Sequence, residues 1–178
     1  MNKKHLPRLN KEAYRGSAVV HWVFNIEKRK TGWLDKHSSM YFRYLLAHIC
    51  GRHQIVSPCL CMMPDHIHML LMGTSKSSDQ ITAVENIRRF FNQYLAPSYQ
   101  FQKTPYDHVL RKHERKQEAF RDMVNYILQN PVRAGLVEDV QKWEYSVCVV
   151  PGYPEFDVWQ EDYWQRFWRL YYHLAEEG

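Results

Sequence analysis

Residues 54–72 read QIVSPCLCMMPDHIHMLLM, two apolar stretches (54–62 and 66–72) interrupted only by Met63, Pro64 and Asp65. A break that short, built on Pro-Asp, returns the chain on itself as an antiparallel hairpin. Pro58 cannot donate to a ladder, so the first stretch is expected to be an edge strand or to carry a bulge. In the second stretch, side chains two apart share a face. His66 and His68 therefore project together while Ile67 and Met69 point to the other side.

Working outward, residues 17–26 (SAVVHWVFNI) are β-branched and aromatic, as a strand requires. From Lys36 to Cys50, Met40, Tyr44, Leu45 and Ala47 recur at helical spacing, with Gly51 where a C-terminal cap belongs. Ser77, Ser78 and Asp79 offer an N-cap for a helix to Leu95, whose buried stripe is Val84, Ile87, Phe91 and Tyr94. A short strand is predicted near 106–111. A helix over 116–130 follows, stopping at Asn130-Pro131 because the residue before proline is pushed out of helical geometry. The order strand, helix, strand, strand, helix, strand is the split β-α-β pattern of ferredoxin-like domains. The expectation is an α+β sandwich, an antiparallel sheet with helices on one face. Residues 1–150 would form one domain with a basic arm at 1–15. Residues 151–178 would be a tail in which Trp164, Phe167, Trp168, Tyr171 and Tyr172 make one face of an extra C-terminal helix.

A chain of 178 residues can bury one sizeable core. Lys and Arg exceed Asp and Glu by 24 to 19, which leans toward a polyanionic partner. Aromatics are 15% of residues, and aromatic rings serve cores and unpaired bases alike. The four cysteines form no C-x-x-C pair, and no secretion signal or bilayer-length apolar run is visible, so a cytoplasmic protein with reduced thiols is expected. Cys59 and Cys61 share a strand face but lack partners at zinc spacing, which favours buried, inert thiols.

Two neighbouring imidazoles can chelate a divalent ion when both are neutral, or can simply be hydrogen-bonded residues of a half-exposed strand. In the 116–130 helix, Phe120, Met123, Val124, Ile127 and Leu128 form the core stripe, and Tyr126 and Asn130 lie one above the other on its flank. Either could be structural, Tyr126 as a core-edge ring and Asn130 as a cap completed by Gly135. Together the four residues make a device. His66, His68 and the Asn130 amide oxygen would hold one ion with positions left for a phosphate, and the phenol of Tyr126 would attack phosphorus. Free tyrosine titrates around pH 10, so such a nucleophile needs nearby positive charge.

PDHIH at 64–68, YILQNPVRAGLV at 126–137 and WEYS at 143–146 resemble the REP-associated tyrosine transposases, a branch of the HUH single-tyrosine transposases of small insertion sequences. The resemblance covers about residues 15–147. It implies a ferredoxin-like nuclease fold, Mg²⁺ or Mn²⁺, and single-stranded or hairpin DNA as substrate. It also implies a 5′-phosphotyrosine intermediate with a free 3′-hydroxyl. By position, Tyr126 is the nucleophile, His66 and His68 are ligands, and Asn130 stands where the family places an amide ligand. The resemblance further implies a domesticated bacterial protein at the nucleoid, acting as monomer or homodimer.

Basic residues that could position DNA are Arg8 and Arg15 in the arm, Arg88 and Arg89 on the second helix, Arg111, Lys112 and Arg115 before the tyrosine helix, and Arg133 after Asn130-Pro131. Two other readings stay open. One is a hairpin-binding protein without chemistry; the other is a hydrolase of small phosphates, which would need Asp65 or His21 to join the histidine cluster.

Overall fold

The computed structural model describes residues 9–111, 114 and 117–177. Its elements are β1 (Val19–Asn25), α1 (Lys36–Arg52), β2 (Ile55–Met63), β3 (His66–Gly73), α2 (Gln80–Leu95), β4 (Tyr106–Val109), α3 (Gln117–Leu128), α4 (Asn130–Arg133), β5 (Ser146–Val149) and α5 (Tyr163–Glu177). The strands form one five-stranded sheet in the order β4-β1-β3-β2-β5, and every pairing is antiparallel. The first four strands have the expected split β-α-β arrangement. β5 extends the sheet beyond β2.

The helices do not stay on one face. Trp22 and Phe24 of β1, Leu60 and Met62 of β2 and Ile67, Met69 and Leu71 of β3 pack with Phe42, Leu46 and Ile49 of α1 and Val84, Ile87 and Phe91 of α2. The opposite face, with Cys59, Cys61, Leu70 and Met72, packs with Phe120, Val124, Ile127 and Leu128 of α3 and Tyr163, Phe167 and Tyr171 of α5. The physical reason lies in the strands themselves. β2 is buried at every position and β3 at all but its first, and a strand apolar on both faces must be covered on both.

Pro58 sits at a register shift of β2 between Val56 and Cys59, so the anticipated bulge is present and the strand is internal rather than at an edge. The Tyr163 hydroxyl donates to the Pro58 carbonyl at 2.6 Å, and that of Tyr171 donates to the Gly73 carbonyl at 3.1 Å. These bonds fasten α5 to the sheet at two points.

Local expectations shift in phase. Met40 and Tyr44 of α1 are exposed, and the buried stripe is Phe42, Leu46 and Ile49. In α2, Leu95 takes the buried place expected of Tyr94. Gly51 lies inside α1. The helix ends at Arg52 with His53 as its C-cap, followed by Gln54 with φ 53°, the left-handed residue that closes helices. Pro131 does not end the helical path. It sits at the start of the one-turn α4, where a missing N–H is harmless, and Gly135 at φ 69° closes that turn.

One buried amide joins helix to sheet. Gln80, fully buried, accepts from Trp22 Nε1 at 3.0 Å and donates to the carbonyls of Ala18 at 2.8 Å and Leu71 at 3.3 Å. Gln80→Leu removes all three bonds at once. Chemical denaturation is expected to show a loss of ~2–4 kcal/mol. A loss below about half a kcal/mol would mean the network contributes little.

Candidate active site on the α3 face of the sheet

The α3 face of the sheet carries His66 and His68 from β3, the central strand. Their Nε2 atoms approach to 3.0 Å. His66 Nδ1 meets Asp65 Oδ1 at 2.6 Å, and Asp65 Oδ2 takes Arg29 Nε at 2.6 Å. Arg29 also donates to the Asn25 amide oxygen, and it holds a left-handed φ of 53° directly after Lys28 at 57°. That paired conformation is costly for side-chain-bearing residues, and the Asp65 and Asn25 contacts over-determine it. His68 Nδ1 meets His21 Nε2 at 2.9 Å, with the rings stacked at 5.1 Å. Burial pushes the His21 imidazolium down to about 4 and that of His68 to about 2. His66 is lowered too by burial, against the opposing pull of Asp65. Near neutral pH all three rings are uncharged, the state a metal ligand requires.

Tyr126 comes down from α3 onto this pair. Its ring stands edge-on to His68 at 5.9 Å and to His21 at 6.1 Å, and 43% of the residue remains exposed. The Arg133 guanidinium lies over the same ring at 4.8 Å. Asn130 donates its amide nitrogen to the Tyr126 carbonyl at 2.8 Å and the Ile127 carbonyl at 3.1 Å. With the nitrogen so engaged, the Asn130 side-chain oxygen is the end that could serve a ligand. One chain thus brings both histidines, the phenol and Arg133 together.

The Nε2 atoms, at a hydrogen-bonding separation of 3.0 Å, are close enough together to share one ion, and imidazole nitrogens suit Mn²⁺ better than Mg²⁺, which prefers an oxygen shell. Among the described residues no group of three or more His, Cys, Asp or Glu side chains is arranged to share an ion. The remaining donors would then be the Asn130 oxygen, water and phosphate oxygens.

Asp65 and His21 both join the cluster, each behind one of the paired histidines. The sequence offers them only as weak candidates for a phosphate hydrolase, and Arg29 only as one of a basic cluster at 28–30, with no sign of its pairing to Asp65. A histidine inside the apolar run VVHWVFN was the available signal. Arg88 and Arg89 belong to α2, which packs on the sheet face opposite the histidines. Arg15 pairs with Glu12 at 3.3 Å and Asp79 at 3.5 Å. Arg111 is exposed after β4, its backbone N–H donating to Glu114. Arg8, Lys112 and Arg115 lie outside the described residues. All four cysteines are buried, and burial pushes the Cys61 and Cys148 thiols up to about 11.

The fold is shared with a solved protein. The structure of a REP-associated tyrosine transposase bound to a REP hairpin superposes with a TM-score of 0.67 over 79% of this chain and 82% of that one, at 18% identity. A Haemophilus influenzae protein described as a REP-associated tyrosine transposase is 23% identical over 119 residues, 59% of this chain. The matched stretch spans 65% of that relative's length. No family model matches the chain. Among the described residues no helix is long and apolar enough to cross a membrane.

Proposed function

We propose that the chain is a REP-associated tyrosine transposase, a metal-dependent single-stranded DNA endonuclease and strand transferase acting at hairpins. One observation carries this reading. The Tyr126 ring sits against His68, whose Nε2 lies 3.0 Å from that of His66, on one face of the sheet and within one chain. Both similar proteins bear that family's name, and the solved one holds a hairpin.

His66, His68 and the Asn130 oxygen would hold Mg²⁺ or Mn²⁺, which supplies charge neutralisation at the scissile phosphate. The Tyr126 oxygen attacks phosphorus and loses its proton to solvent. The bond from phosphorus to the 3′-oxygen breaks, and that oxygen leaves as a 3′-hydroxyl after taking a proton. The strand on the 3′ side of the cut stays on Tyr126, joined through its 5′-phosphate as a phosphotyrosine. A second 3′-hydroxyl reverses the exchange with no external energy source. Arg133 places a fixed positive charge beside the attacking ring, where the phosphate arrives. In the cell this work belongs at the bacterial nucleoid.

The test uses hairpin oligonucleotides with randomised single-stranded flanks, incubated with the protein and Mn²⁺ or Mg²⁺ and run on a denaturing gel. A protein–DNA adduct is expected with ion and none after chelation. Hairpin binding with no adduct from any flank would reduce the protein to a DNA reader and overturn the catalytic proposal.

A further inference from the structure

The two paired histidines are held from behind by different groups. His66 has the Asp65 carboxylate on Nδ1, itself held by Arg29. His68 has another imidazole, His21, reaching from β1 across the sheet at 2.9 Å. His21 is 4% exposed and stacked on His68 with an interplanar angle of 19°. The two strands are fixed in register, His68 opposite Val23 and His21 opposite Leu70, so the contact follows from the ladder rather than from a mobile side chain.

A neutral imidazole has one N–H and one lone pair. For His66 and His68 both to offer Nε2 lone pairs to an ion, both must carry their hydrogen on Nδ1. A carboxylate accepts from His66. The atom placed to accept from His68 Nδ1 is His21 Nε2, 2.9 Å away. We infer that His21 is a positioning residue of this site: by accepting the Nδ1–H of His68 it fixes that ring's tautomer and direction, so that Nε2 faces the ion. This inference rests on the metal-site reading of the His66–His68 pair and adds a third histidine that touches neither ion nor substrate.

Outer partners of metal-bound histidines commonly account for ~10–100-fold in metal affinity. Mn²⁺ binding to the full chain, followed by electron paramagnetic resonance, reads this without any DNA reaction. His21→Leu keeps the volume and removes the acceptor, and a 10–100-fold weaker Mn²⁺ affinity is expected. His21→Gln restores an acceptor oxygen on a flexible stem and is expected to recover most of the loss. Equal affinity in His21→Leu and the unaltered protein would overturn the inference alone. Equal losses in the Leu and Gln variants would also overturn it, as a packing effect. Absence of Mn²⁺ binding in the unaltered protein would instead remove the metal site on which it rests. Should His21→Leu fail to fold, ¹⁵N spectra of the imidazoles in the unaltered, Mg²⁺-saturated protein decide the matter. A hydrogen on Nδ1 of His68 supports the assignment, and one on Nε2 defeats it.

Discussion

Tyr126→Phe is expected to yield no covalent adduct with hairpin DNA, a loss of at least ~1,000-fold, because the substitution deletes the one atom that bonds to phosphorus. Little else should change. The ring keeps its edge contacts to His68 and His21 and its place beneath the Arg133 guanidinium, since none of these uses the hydroxyl. With 43% of the residue exposed, the oxygen contributes little to packing, so stability should move by less than about 0.5 kcal/mol. Hairpin affinity should likewise hold. Comparing adduct yield with filter-bound DNA separates the two effects. An adduct that survives in the Phe variant assigns the nucleophile to another residue.

The largest expected effect on stability comes from Gly73→Ala. A methyl at the end of β3 would land on the backbone carbonyl of Gly16 and crowd the Ser78 side chain at 2.9 Å. Backbone cannot swing away as a side-chain tip can, and Gly73 is pinned by its own N–H to the Ala18 carbonyl at 3.1 Å and by its carbonyl to Tyr171. Overpacking of this kind costs ~3 kcal/mol or more, which lowers the midpoint of thermal unfolding by roughly 6–12 °C in a domain of this size. Gly51→Ala is the control. Its new methyl would meet Pro151 at an ordinary 3.5 Å inside α1, where alanine is the better helix former. If the two variants melt together, the close approach of β3 to Gly16 is not a real constraint.

What the sequence disclosed follows the range over which each signal acts. The Pro-Asp hairpin, the shared face of His66 and His68 and the i, i+4 relation of Tyr126 to Asn130 are set within a few residues, and periodicity reads them directly. The phase of α1 failed because Met40 and Tyr44 are large and apolar yet exposed, while Phe42 is buried. The second helical layer escaped notice because a run apolar at every position does not say on how many sides it is covered. His21 stands 47 residues from His68, and only the pairing of β1 with β3 makes them neighbours. Asn130-Pro131 reads as a stop because proline pushes the residue before it out of helical geometry; the helical ladder instead breaks at Gln129, and Pro131 enters α4 in its first turn, where no N–H is required.

The irregularity in β2 has a bearing on how the gene can change. On either side of Ser57 and Pro58 the odd-numbered positions face opposite ways: Ile55 packs beneath α1 and α2, whereas Cys59 and Cys61 lie under the tyrosine-bearing layer. Excising one residue there would swap thiols for Leu60 and Met62 along the strand that runs beside His68. Substitutions in this stretch can be absorbed by repacking. A change in its length cannot, since every later side chain of β2 would exchange one side of the sheet for the other.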